Sequence, residues 1–295
     1  MVDLWLAERL LAAIPESATL ILVGDVDQLP PVGAGQVLRE LLASGVARSV
    51  RLTQIFRQAQ ESAIVRGAHR IHEGALPEGT PRGTKSQGDL FVVPRERPDQ
   101  ITEALVEMLR RVSSAYGLDP RSELQVLTPM RRGPLGTEAL NRLLQSELNP
   151  AHGESTEGTL RRGDKVMQLH NDYDRDVFNG DVGEIARIEG GTTFVRFEGR
   201  EVQYPPDELD ALSLAYASTV HKVQGSEFPA VIVVMHPSHH MLLSRALLYT
   251  AVTRGKRLVV LLGDPRAFVR AAQNAEAGAA RSHLRARLAE AAAAG

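Results

Sequence analysis

Several residue types are scarce in this chain, and each shortage excludes a class of protein. The 295 residues contain no cysteine, which excludes disulfide bonds and thiolate metal sites and is typical of a reducing compartment. No apolar run reaches the roughly 20 residues that a membrane-spanning helix needs. The first residues also lack the basic and apolar regions of a secretion signal. We therefore expect a soluble cytoplasmic protein that has no membrane partner.

Net charge is low as well. Lysine and arginine together number 34, against 36 aspartates and glutamates, and only four of the basic residues are lysines: Lys85, Lys165, Lys222 and Lys256. A chain this close to neutrality has no overall basic field that would attract nucleic acid. Any nucleic-acid binding therefore has to come from a local basic surface.

The apolar residues that are present predict an α/β fold. Continuous apolar runs at residues 19–23, 88–94, 123–130, 228–235 and 256–264 predict buried strands of a parallel sheet, and residues 49–58 predict a further short strand. Helical patterns lie between them, at residues 35–45, 62–74, 99–117 and 137–150. Strands that alternate with helices are typical of a doubly wound parallel sheet.

Residues 163–212 depart from this alternation. They consist of short alternating strands separated by turns at Asn179-Gly180, Gly190-Gly191 and Glu198-Gly199, of which the first two are hairpin signals. We predict a small antiparallel β-barrel inserted into the α/β domain. Residues 271–295 are rich in alanine and predict a helical or frayed tail.

A phosphate-binding loop is missing from the sequence. The nearest candidate, residues 79–86, does not match the G-x-x-x-x-G-K-[ST] spacing and has no strand before it or helix after it, so we interpret it as a surface loop. No Asp-Glu pair ends an apolar strand either. We therefore predict that this chain carries no metal ligands of its own.

Five polar segments adjoin the predicted strands. They read "GDVDQLPPVG" from Gly24, "LTQIFRQ" from Leu52, "LTPMRRGPLG" from Leu127, "ASTVHKVQGSE" from Ala217 and "YTAVTRGK" from Tyr249. Taken one at a time, each has an ordinary structural explanation. Asp25 and Gln28 fit a turn or a cap, Arg57 fits a surface ion pair, and His221 fits a half-buried histidine. Their order along the chain is what makes them specific.

Together, the five segments resemble the later motifs of superfamily 1 DNA helicases, and especially of the RecD-like branch. The resemblance extends from residue 23 to about residue 263. It implies RecA-like helicase lobes with an SH3-like barrel inserted, ATP and Mg²⁺ as cofactors, single-stranded DNA as a partner, and 5′-to-3′ unwinding in DNA repair or recombination.

The resemblance also assigns roles to residues. Gln28, Arg57 and Arg254 are expected to contact the γ-phosphate, and Gly225 and Glu227 to contact the nucleotide. The residues expected to contact DNA are Thr128, Arg131, Thr219 and His221. An arginine reaching a phosphate across a cleft suits this chemistry, because its planar fork matches phosphate oxygens.

The family's phosphate loop and Asp-Glu motif lie before "GDxxQLPP", yet only 23 residues precede Gly24. The opening "MVDLWLAERLL" matches the segment that comes after the acidic motif in relatives. We therefore expect a chain that begins just after the Walker B acid, whose partner is a missing N-terminal helicase lobe and which alone does not hydrolyse ATP. The expected organisation is a remnant of the first lobe (1–50), the second lobe (51–162 and 213–270), the barrel (163–212) and the tail (271–295).

Two alternatives stay open at this point. One is a non-enzymatic DNA-binding or regulatory module that reuses a helicase lobe and barrel, which the missing phosphate loop favours. The other is the remnant of a relaxase-helicase, which would require a nuclease domain. An ATPase assay with and without single-stranded DNA separates the helicase from the binding module.

Overall fold

The fold consists of a parallel sheet between two layers of helices, an antiparallel sheet inserted into it, and an N-terminal segment packed alongside. It is described by a computed structural model covering residues 2–52, 61–80, 88–150, 160–275 and 282–294. Its helices are α1 Leu4–Ala13, α2 Val37–Ser44, α3 Ala63–His72, α4 Pro98–Tyr116, α5 Thr137–Leu148, α6 Arg245–Val252, α7 Pro265–Gln273 and α8 Leu284–Ala294. Its strands are β1 Leu90–Pro94, β2 Leu124–Thr128, β3 Lys165–Gln168, β4 Val182–Glu189, β5 Thr192–Phe197, β6 Arg200–Tyr204, β7 Leu212–Leu214, β8 Ala217–Thr219, β9 Phe228–Met235 and β10 Gly255–Gly263.

The parallel sheet has the order β1-β10-β9-β2-β8, and every neighbouring pair is parallel. Side chains of β9 alternate between two apolar cores: Val231 and Val233 face one, and Ile232 and Val234 face the other. Helices α3, α6 and α7 cover the first face, while α4 and α5 cover the second. The predicted α/β fold with helices on both faces of a parallel sheet is therefore confirmed, because both faces of the central strands are apolar.

The inserted sheet has the order β6-β5-β4-β3-β7 and is antiparallel throughout, with its own apolar core. Gly190 and Gly191 connect β4 to β5 with positive φ angles, as the hairpin signal predicts. Asn179 and Gly180 do not form the predicted tight hairpin. They end a longer connection from β3 to β4, whose residues 172 and 177 pair with each other instead.

A buried polar network joins the insert to the parallel sheet. The Asp164 carboxylate is fully buried and accepts hydrogen bonds from Gln145, Asn149 and Tyr216 at 2.6–3.0 Å. The Lys165 amine donates to the carbonyl of Leu124, and burial lowers its pKa to about 8. Since unpaired buried polar groups are costly, this network fixes the insert against β2 and α5.

Residues 19–23 were predicted to form a buried strand, and this prediction is wrong for the structure. No described segment pairs with them, and their side chains lie exposed, to 78% for Ile21 and 92% for Val23. A strand requires hydrogen-bonded neighbours, and none of the described strands lies beside this segment to provide them. The described part of the next predicted strand, residues 49–52, is likewise not a strand.

The alanine-rich tail was predicted to be helical or frayed, and its described part contains a helix. Helix α8 packs against α2, where the Ser282 hydroxyl donates to the Glu40 carboxylate at 2.6 and 2.8 Å. Residues 271 and 272, which were assigned to the tail, instead lie buried in α7 against the first core. None of the described helices is long and apolar enough to cross a membrane.

Candidate functional site

The loop at residues 24–31 docks onto the end of α6, which brings two of the predicted site residues into direct contact. The Arg254 Nη2 atom donates to Gln28 Oε1 at 3.1 Å. The two residues lie 226 positions apart in the chain. The fold therefore places side by side two residues that were each expected to contact the γ-phosphate.

The Arg254 guanidinium is held by neutral oxygens. Besides Gln28, its acceptors are the carbonyls of Thr250 and Ser226, at 3.2 and 2.9 Å, and the Thr253 hydroxyl at 3.3 Å. Arg254 is only 6% exposed, and no described carboxylate forms an ion pair with it. Burial lowers the Arg254 pKa, while the charges of Glu227 and Asp25 act in the opposite direction. The group stays cationic, because an arginine pKa is too high for it to lose its proton here.

The position of Arg254 follows from local sequence. Ser244 caps the start of α6 by accepting from the Leu247 amide, and the helix ends at Val252, two residues before Arg254. The side chain folds back on the helix end, where free carbonyls and the helix dipole favour a cation. The Phe228 amide donates to the Arg254 carbonyl, so the arginine lies at the start of both β9 and β10.

Asp25 sets the orientation of Gln28. Its Oδ2 atom accepts from Gln28 Nε2 and from the Tyr249 hydroxyl, both at 3.1 Å. The amide nitrogen of Gln28 therefore faces Asp25, which leaves Oε1 for Arg254. Burial and the Asp25 charge raise the Tyr249 pKa, so its hydroxyl remains a donor.

Gly225 and Glu227 flank this site, on either side of the Ser226 carbonyl that Arg254 binds. Gly225 has a φ of +89°, and a Cβ there would meet no atom within 4 Å. Glycine is thus required for its backbone conformation and not for space. The exposed Glu227 carboxylate lies 2.9 Å from the Lys256 amine, and this pair lowers the Glu227 pKa.

A second cluster lies toward the other end of the sheet. Thr219 ends β8, and its carbonyl and hydroxyl accept from the Lys222 amide at 3.1 and 3.4 Å, which forms a turn. His221 is half-buried in this turn, and burial lowers its pKa. The strand register sets Thr219 about six residues, or roughly 20 Å, beyond the start of β9.

Lys222 and Arg131 lie close enough in this cluster for their charges to interact. Both side chains are exposed, and burial together with the Arg131 charge lowers the Lys222 pKa. Two cations that repel each other across a surface favour an anion between them. Sequence reasoning singled out Arg131 but missed Lys222, although it is one of only four lysines and lies beside His221.

Thr128 does not contribute a surface, which corrects its expected DNA contact. Its side chain is fully buried, and its hydroxyl donates to the Leu135 carbonyl at 2.7 Å. That bond shapes the loop after β2, which carries Arg131. The other predicted phosphate contact, Arg57, lies outside the described residues. Sequence reasoning also missed Asp25 as the group that orients Gln28, and Tyr249, Thr250 and Gln224 as partners of the loop.

The described residues provide no cluster of side chains that could bind a metal ion. They contain no group of three or more His, Cys, Asp or Glu side chains placed to hold a metal ion. The carboxylate that contacts Gln28, that of Asp25, already accepts hydrogen bonds from Gln28, Tyr249 and the Asp27 amide. The residues present thus suit a phosphate but not Mg²⁺.

Comparison with known sequence families covers most of the chain in three parts. Sequence models match residues 1–88 (AAA domain), residues 140–197 (ATP-dependent RecD-like DNA helicase SH3 domain) and residues 214–262 (UvrD-like helicase C-terminal domain). The middle match includes β3, β4 and β5 of the inserted sheet.

Among curated proteins, the chain is 40% identical over 272 residues to an ATP-dependent RecD2 DNA helicase of Deinococcus radiodurans, a match that covers 91% of this chain and 36% of that protein. It is 32% identical over 290 residues to a RecBCD enzyme subunit RecD of Mycolicibacterium smegmatis, with 92% and 50% covered. The chain therefore spans about a third to a half of these relatives.

Solved structures give a more distant likeness. A Pif1 helicase from Bacteroides, in complex with ADP-AlF3 and ssDNA, matches with a TM-score of 0.47 and 19% identity, over 92% of this chain and 66% of that one.

Proposed function

We propose that this chain, which belongs to the RecD-like family of superfamily 1 helicases, supplies the γ-phosphate-sensing and DNA-gripping part of an ATP-dependent DNA helicase. The direction of unwinding that we propose is 5′-to-3′, and the setting is DNA repair or recombination. Both rest on the family resemblance.

The observation that carries the nucleotide role is the buried charge of Arg254. Buried charges in proteins are normally paired, because removing an ion from water is costly. Here the described partners are four neutral oxygens, which orient the guanidinium without cancelling its charge. A terminal phosphate is the kind of anion that would complete this site, since arginine binds phosphate in a bidentate manner.

Gln28 and Arg254 belong to different segments, and this supports a sensing role. A phosphate held by both side chains would bind the loop at residues 24–31 to the end of α6, and its loss would release that link. Gly225 and Glu227 would border the nucleotide. Arg57 stays a prediction as a second arginine at the phosphate. ATP and Mg²⁺ would supply the phosphoryl chemistry when bound, and the residues of this chain would bind, orient and sense.

The DNA role rests on the cluster at the other end of the sheet. Arg131 and Lys222 would bind successive backbone phosphates, and Thr219 and His221 would lie beside the strand. The cluster is local, as the nearly neutral chain requires.

An ATPase assay on this chain, with and without single-stranded DNA, tests the proposal. We expect DNA binding without hydrolysis, because the sequence contains no phosphate loop. In a longer chain that includes that loop, Arg254→Ala should lower the hydrolysis rate by about 10³-fold, the range for arginine fingers, and Arg57→Ala should do the same. Arg257→Ala, which removes a nearby exposed arginine, is the matched control.

The results would separate this proposal from the alternative of a DNA-binding module. If the longer chain hydrolyses ATP equally well with Arg254→Ala, the sensing role is wrong, and DNA binding is the role left to the part described here. DNA-dependent hydrolysis by the present chain that Arg254→Ala abolishes would instead mean that it contains a complete catalytic site.

A further inference from the structure

The backbone of Leu29 is held at both its amide and its carbonyl. Its amide donates to the Thr250 hydroxyl at 2.8 Å, and its carbonyl accepts from Gln224 Nε2 at 2.9 Å. Thr250 lies on α6, which leads to Arg254, while Gln224 lies in the segment that leads from the Thr219–Lys222 turn to β9. Two separate segments of the parallel-sheet domain therefore meet at one residue of the loop.

The sequence explains why the backbone is held at Leu29. Leu29 is followed by Pro30 and Pro31, which have no amide hydrogen, so the Leu29 amide is the last donor before Val32. A residue that precedes proline is also restricted to extended conformations. A stiff segment held at Leu29 leaves its neighbour Gln28 little freedom.

The side chain of Gln224 leaves a buried polar atom without a partner in the described part of the chain, which is unfavourable for a residue that only fills space. Its Oε1 atom is buried and has no hydrogen-bond partner among the described residues. An apolar side chain would fill this position without an unsatisfied oxygen, so the bond from Nε2 to Leu29 is the favourable interaction left to the amide. Thr250 is fully buried, and its hydroxyl faces the loop and not solvent.

We propose that Thr250 and Gln224 form a latch on the Leu29 backbone that positions Gln28 against Arg254. We infer further that Gln224 transmits the binding of single-stranded nucleic acid at Arg131 and Lys222 to this latch. The reason is that the backbone amide of Gln224 donates to the carbonyl of His221, which lies in the turn that carries Lys222. The second part rests on the proposed function, whereas the first does not. Thr250 and Gln224 are both positioning residues, since neither is placed to touch a ligand.

Hydrogen exchange of residues 24–32, measured by mass spectrometry on the whole chain, tests the latch. Thr250→Val keeps the shape of the side chain but removes the acceptor, so exchange should become about tenfold faster, the effect of one buried hydrogen bond. Thr250→Ser restores the hydroxyl and should stay within about twofold of the parent. Equal exchange in the Val and Ser variants would overturn the latch.

Residues 228–235 serve as the internal reference for the fold. If Thr250→Val also loosens this strand, Gln224→Ala decides, because Gln224 lies outside the sheet. Faster exchange confined to residues 24–32 in that variant supports the latch, and unchanged exchange overturns it.

Adding a 12-nucleotide oligothymidylate tests the coupling. Binding should slow the exchange of residues 24–32 in the parent, whereas Gln224→Ala should bind the oligonucleotide equally by fluorescence anisotropy and show no slowing. Binding without slowing in the parent would refute the coupling and leave the proposed function intact. Absence of binding would refute both the coupling and the DNA role. The comparison of Thr250→Val with Thr250→Ser would still test the latch.

Discussion

Two segments of this chain have similar apolar sequences, but only one of them forms a strand. Residues 19–25 read "TLILVGD" and residues 257–264 read "RLVVLLGD". The second forms most of β10, in which Val259 to Leu262 are at most 3% exposed, between β1 and β9. The first is not a strand, and Val23 is 92% exposed.

The difference between the two segments is their neighbours and not their composition. β10 pairs with a strand on each side and has a core against each face, so its backbone groups are bonded and its side chains are buried. Among the described residues, residues 19–23 have no paired strand on either side and no apolar core against either face. An apolar run therefore encodes a strand only conditionally, because the hydrogen bonds of a sheet are made between segments.

The contrast should be largest in hydrogen exchange. Amides of residues 258–262 should be protected at least about 10³-fold more than those of residues 19–23, because exchange in a sheet core requires unfolding that costs 5–15 kcal/mol. Mass spectrometry of the two peptides gives the comparison directly. Equal protection would mean that residues 19–23 are paired in solution.

Truncating one isoleucine in each region sharpens the same contrast. Ile232→Ala removes a fully buried side chain and should lower the free energy of unfolding by about 2–5 kcal/mol. Ile21→Ala removes an exposed side chain and should change it by no more than about 0.5 kcal/mol. Urea denaturation measures both, and a cost at Ile21 similar to that at Ile232 would contradict the exposed arrangement.

Burial in the sheet domain should also appear in the pH dependence of stability. His239 is buried just after β9, and burial together with the nearby His236 lowers its pKa to about 4 from 6.5. The unfolded chain then binds more protons than the folded chain between these values, so stability is lost as the pH falls from 6.5 to 4, by at most about 3 kcal/mol.

His239→Asn removes the titrating group and should flatten this part of the profile. The exposed neighbour His240→Asn is the matched control and should leave the profile unchanged. Thermal unfolding across pH 4–7 provides the measurement. An unaltered slope in the His239 variant would show that another group causes the acid sensitivity.

The smallest expected effect concerns DNA binding. Lys222→Ala should weaken binding of oligothymidylate and reduce the slope of log K against log salt by about 0.7, the value for one phosphate contact with a single strand. Arg48→Ala removes the same charge from the exposed N-terminal region and should leave the slope unchanged. Anisotropy across a salt series tests both, and equal slopes for the two variants would place the contact elsewhere.

The sequence alone predicted the parallel sheet of residues 90–263 and the antiparallel insert, because their strands carry their own periodicity and their partners lie within the chain. It also indicated Gln28 and Arg254, through motifs that resemble those of a family. It did not indicate that Thr128 is buried, since a threonine at the end of a strand can face either way.

Contacts between distant segments were decided only by the tertiary structure. The bonds from Arg254 to Gln28, from Thr250 and Gln224 to Leu29, and from Tyr249 to Asp25 each join residues about 200 positions apart. Local periodicity carries no information about such pairs, because they depend on how the loop at residues 24–31 docks. The same reason explains residues 19–23: the sequence determines that they are apolar, and the neighbours available in the fold determine whether they become a strand.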